Sequence, residues 1–68
     1  MFKVFALDDA TGKERIAFIV EDKDRDFTIG KVFSFVDIET CFFHKSDNKG
    51  NPLGALSMIS RREFEAKK

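Results

Sequence analysis

Cys41 and His44, spaced C-x-x-H, are the one pair in this chain whose types and spacing invite a chemical test. A thiol and an imidazole act as nucleophile and base when they lie within hydrogen-bond reach. They also serve as two ligands of a tetrahedral zinc. Residues three apart in an extended segment face opposite sides, so this spacing predicts that the two do not meet. A metal site also lacks ligands, since the sequence has no second Cys or His. Cys41 therefore reads as a small core residue and His44 as a surface residue.

The other motifs fail similar tests. Glu21 to Asp26 is a run of four acids and two bases, but it lacks the sharp-turn Gly and the bidentate Glu of a calcium loop in register. It reads as a solvated loop. Gly30-Lys31 lacks both the upstream Gly and the following Ser or Thr of a phosphate-cradling loop. Ser57 and Ser60 have no base that the sequence places beside them, and the carboxylates are scattered through loops. A chain of 68 residues leaves little room for a buried pocket of the usual several hundred Å³. The expectation is a protein without catalytic residues, metal or cofactor.

Composition narrows the partners. The length predicts a single domain over residues 1–68. Lys plus Arg and Asp plus Glu are 12 each, a formal charge of zero, whereas nucleic-acid binders usually carry a basic excess. A lone cysteine suits a reducing compartment. The N-terminal FKVFAL is too short for a signal-peptide core. No apolar run approaches the roughly 20 residues that span a bilayer. These features predict a cytoplasmic location and no membrane partner. All nine aromatics are Phe, which suits a core; interface hot spots favour Trp, Tyr and Arg.

The elements that must position these residues read mostly as strands. Residues 2–7 and 14–21 flank a turn at 8–13, where Gly12 can take a positive φ. Phe27-Thr28-Ile29 reads as a short extended piece, and Gly30-Lys31 as a bend, a bulge or a close backbone approach. Residues 32–38, 41–45 and 53–59 read as further strands, the last two joined by the Asn-, Asp-, Gly- and Pro-rich turn 46–52. Ser60-Arg61-Arg62-Glu63 has the form of a capping box and predicts one short helical turn, with Phe64 on the core and Glu65 to Lys68 fraying. The fold expected is all-β: a small barrel or strongly bent antiparallel sheet of about five strands.

Three segments, Phe27-Thr28-Ile29-Gly30-Lys31, Asp47-Asn48-Lys49-Gly50 and Ser60-Arg61-Arg62-Glu63-Phe64, together resemble small phage and prophage accessory proteins over residues 27–64. The resemblance implies an SH3-like barrel and a mobile-element context. The chain departs from that pattern at Phe33, where Tyr is common, and in its longer N-terminal hairpin.

The function expected is a protein-interaction module of a phage or mobile element that binds and modulates a host protein. The candidate contacts are Phe33, Phe35, Phe42, Phe43, Lys45, Arg61 and Arg62. The alternative is a small nucleic-acid-binding barrel whose face combines Phe42, Phe43, His44 and Lys45 with Arg61 and Arg62. A third reading is a ligand-sequestering or self-assembling protein, built as a homo-oligomer.

Overall fold

The computed structural model describes residues 1–67; Lys68, the end of the expected fraying tail, lies outside the described residues. Strands β1 (Phe2–Leu7) and β2 (Glu14–Val20) form the expected hairpin. A 3₁₀ turn (Asp22–Asp24) leads into helix α1 (Arg25–Phe35). Strands β3 (Thr40–Lys45) and β4 (Ser57–Ser60) follow, and helix α2 (Arg61–Ala66) ends the described chain. The four strands form one antiparallel sheet in the order β2-β1-β3-β4. β2 and β4 are edges, so the sheet is open and the expected barrel does not close.

The main correction concerns residues 25–35. The expected bend and strand are a single 11-residue helix. Val32-Phe33-Ser34-Phe35-Val36 is rich in β-forming residues, yet Thr28, Ile29, Val32, Phe33 and Val36, spaced 3.6-residue fashion, are the buried ones. That stripe covers the sheet, and tertiary burial overrides local propensity. The run at 21–26 is likewise not a plain loop, because it forms the 3₁₀ turn and the start of α1. The last expected strand is shorter than residues 53–59 and begins at Ser57.

Gly30 sits inside α1, where glycine costs about 1 kcal/mol relative to Ala. A Cβ there would lie 3.3 Å from Phe64 Cζ. The close approach therefore belongs to the seam between α1 and α2. Ser60 caps α2 as expected: its Oγ accepts from Glu63 N–H at 3.0 Å, and its N–H donates to Glu63 Oε1 at 3.4 Å. Gly12 takes φ +72°, closing the β1–β2 turn.

The core lies between α1 and one face of the sheet. Val4, Ala6, Cys41 and Ile59 point into it, together with Ile29, Val32, Phe33, Val36 and Ile38. Ile16, Phe18, Val20, Phe43 and Phe64 pack around its rim. Among the described residues, no helix is long and apolar enough to cross a membrane.

Candidate interaction surface

The strand alternation sends Lys3, Phe5, Ala17, Ile19, Phe42, His44 and Met58 to the sheet face away from α1. Cross-strand pairing brings them into rows: Phe5 opposite Ala17 on one side and Phe42 on the other, and Phe42 opposite Met58. Phe5 and Phe42 stack with ring centroids 5.7 Å apart. Lys3 Nζ sits 5.1 Å over the Phe5 ring and is held by Glu14 Oε1 at 2.6 Å. At its centre Phe5 and His44 are buried, each 8% exposed, while its β4 side is open. Met58 is 63% exposed, Ile19 40%, and Leu53 and Leu56 in the β3–β4 loop 63% and 55%.

The loop 46–52 shields one corner of the face. Asp47 organises it: Oδ1 accepts from the N–H groups of Lys49 and Asn51 at 2.8 and 3.0 Å, and Oδ2 accepts from Asn51 Nδ2 at 3.0 Å. Those bonds, the Asn51 side chain's foremost, hold the Asp47 carboxyl below its ordinary pKa. Gly50 takes φ +90°, and a Cβ there would lie 2.9 Å from Ile19 Cδ1. Glycine is thus required by both backbone and space, since only it accepts that φ without steric cost.

His44 differs from expectation. It faces opposite to Cys41 as the spacing predicts, but it is buried, with its ring edge-on to Phe5 at 5.8 Å and Nδ1 3.1 Å from the Lys45 carbonyl. Cys41 is fully buried in the core, where desolvation pushes its thiol pKa up to about 11. A thiol so placed is protonated at neutral pH and faces away from the imidazole. Among the described residues, no three His, Cys, Asp or Glu side chains converge on a metal position.

The seven predicted contact residues do not form one patch. Phe33 is buried at 6% exposure and packs against Phe64 at 5.6 Å, so it belongs to the core. Phe43 points toward α1, with the Arg25 guanidinium 5.4 Å from its ring. Lys45 is held by Asp22 Oδ2 at 2.6 Å beside the Phe2 ring. Arg61 is a structural residue. Its guanidinium donates to the carbonyls of Ile38, Phe33 and Val36 at 3.1, 2.9 and 3.1 Å, closing the C-terminal end of α1. Phe33 lies in the last turn of α1, where carbonyls lack an intrahelical donor; Val36 also accepts from the Ile38 N–H at 3.0 Å, and the positive charge suits that end of the helix. Phe35 is 73% exposed at the end of α1, and Arg62 is exposed on α2. Phe42 alone joins the uncovered face.

Sequence reasoning missed Ile19, Met58, Leu53 and Leu56, and also Phe27, which is 65% exposed on α1 beneath Lys31 Nζ at 4.7 Å. Phe27 borders a groove of about 310 Å³ that Gly30, Ser34 and Phe64 also line. Strand alternation separates the two faces of β1 to β4, but only the location of a covering helix says which face is left open. Comparison with protein-family models, curated proteins and solved structures finds no significant match for this chain.

Proposed function

We propose that the chain is a non-enzymatic protein-interaction module, an accessory factor of a phage or mobile element that binds and modulates a host protein in the host cytoplasm. The observation that carries this reading is the uncovered apolar sheet face, with Phe42 stacked on Phe5 and Met58 exposed beside it. Contiguous exposed apolar surface marks contact sites on small proteins. Its charged strand residues, Lys3 and Glu14, pair with each other at 2.6 Å, so the face favours an apolar protein surface over a phosphate backbone.

The nucleic-acid alternative draws less support. Its candidate residues are divided, with Phe42 on the open face, Phe43 directed to the core side, and Arg61 and Lys45 occupied by internal partners. Affinity capture from bacterial lysate tests the choice, comparing the wild type with the double variant L56S/M58S. One host protein retained with and without nuclease, and lost in the double variant, is the expected result. Retention that disappears with nuclease, or that the double variant leaves intact, overturns the assignment.

A further inference from the structure

β2 is an edge strand, and the registers determine which of its backbone groups face outward. The Ser46 N–H donates to the Met1 carbonyl at 2.8 Å. Antiparallel hydrogen bonding recurs every second residue, so Lys3 and Phe5 direct their backbone groups to β3. Phe2, Val4 and Ala6 direct theirs to β2, where they meet Val20, Phe18 and Ile16. Ala17, Ile19 and the extended Glu21 therefore point their N–H groups away from the sheet.

Beyond a bulge at its Arg15 end, this edge lacks the usual protections. Natural edges are blunted by Lys, Pro, inward charges or brevity. β4 is four residues long, and its Ser60 N–H is taken by Glu63. In β2, Ile16-Ala17-Phe18-Ile19-Val20 holds no charge, no Pro and no Gly, and a register shift opposite Ala6/Leu7 confines irregularity to its Arg15 end. Arg15 and Glu21 flank this stretch symmetrically and are both exposed. Antiparallel pairing of the segment with itself about Phe18 sets Ala17 opposite Ile19, Ile16 opposite Val20, and Arg15 beside Glu21 of the second copy. In that register the outward Ala17 and Ile19 groups form the hydrogen-bonded pairs, as the ladder requires. Two ion pairs and a closed apolar row result.

We propose that two copies of this chain associate through β2, joining their sheets into one continuous antiparallel sheet with Phe18 on the two-fold axis. The occupant of the edge is a second copy because the charges are self-complementary in the register that the backbone parity allows. The pairing leaves the Phe42 and Met58 face free, so it stands independently of the proposed host-protein contact.

Sedimentation equilibrium over a concentration series tests it with the full chain. The wild type should rise from a mass of 7.8 kDa toward twice that value. Ala17→Pro removes an outward N–H at an edge position that tolerates proline, and should leave a monomer with an unchanged circular-dichroism spectrum. Arg15→Glu and Glu21→Arg each place like charges opposite one another and should weaken association about tenfold. The double variant R15E/E21R restores opposite charges and should return most of the loss. A wild type that stays monomeric throughout overturns the proposal, as does association indifferent to the single reversals. A double variant as weak as either single one excludes this register. The charge series remains decisive even if Ala17→Pro unfolds.

Discussion

The two faces of the sheet come from the same four strands, and each carries an apolar row. One presents Val4, Ala6, Phe18, Cys41 and Ile59; the other presents Phe5, Ala17, Ile19, Phe42 and Met58. The first is sealed by α1. The second has the 46–52 loop across one corner and buries Phe5 and His44 at its centre, but leaves Met58 at 63% exposure. Hydrophobicity alone therefore does not separate core from contact surface in this chain. The covering element does, and a small domain has one long helix to place.

The largest difference between the faces should appear on truncating the covering helix. Ile29 is 1% exposed in the centre of the core, so Ile29→Ala should cost about 2–4 kcal/mol through lost burial and a residual cavity. Urea unfolding with an unchanged slope would measure it. A loss below about 1 kcal/mol would mean that α1 does not seal this face as described. Next comes Arg61, which ties α2 to the end of α1. Arg61→Met keeps the aliphatic stem but removes the guanidinium over the Phe33 ring and its bonds to the Phe33, Ile38 and Val36 carbonyls, of which Val36 alone keeps a backbone donor, the Ile38 N–H. Leaving part-buried acceptors unmet should cost about 1–3 kcal/mol, read from the same unfolding curves. Arg62→Met, on the exposed neighbour, should stay within about 0.5 kcal/mol and serves as the control.

The N-terminal hairpin, the β3 strand, the capping box and both turns were legible because each rests on local chemistry. Gly12 at positive φ and Ser60 with Glu63 are signals confined to a few residues. α1 was not legible as a helix. In Val32-Phe33-Ser34-Phe35-Val36 the β-branched and aromatic residues favour extended backbone locally. Its true period shows only when Thr28 and Ile29 are counted with Val32, Phe33 and Val36. Misreading that helix as strand also hid the surface. With every strand assumed to close into a barrel, Phe33 and Phe42 looked alike. In the fold, one packs on Phe64 and the other stacks, half-buried, on the buried Phe5 of the opposite face. Arg61 looked like a free contact because three backbone carbonyls distant in sequence carry no residue-type signal.

Acid should act on both faces with a smaller effect. The backbone N–H groups of Ala10 and then Thr11 lower the Asp8 pKa, and the Lys45 ammonium followed by the chain's N-terminal amine lowers that of Asp22. Asp47 is lowered by the Asn51 side chain first. A carboxyl whose pKa is lower folded than unfolded stabilises the fold above the unfolded value, and that contribution is lost as pH falls through the folded one. Urea midpoints should hold near neutrality and decline as pH falls through and below the ordinary Asp range. All three carboxyls reach solvent, so the individual contributions are modest. Asp47→Asn should reduce the decline while loosening the loop over Ile19. A midpoint that rises on acidification would contradict these carboxyl environments.

The smallest stability effect, and the sharpest separation of the two faces, belongs to the uncovered residues. Met58 and Leu56 already meet solvent over more than half their surface. Each change to Ser should therefore leave stability within about 0.5 kcal/mol. The same pair of substitutions removes Met58, opposite Phe42, and the exposed Leu56 that precedes β4, on which the proposed partner would dock. Binding and folding should thus respond oppositely on the two faces. Ile29→Ala lowers stability while a folded fraction still binds, whereas L56S/M58S keeps the unfolding curve and loses the partner. Should L56S/M58S instead destabilise the protein by more than about 2 kcal/mol, these side chains would be part of the fold's packing, and the open face would have to be redrawn as a second core.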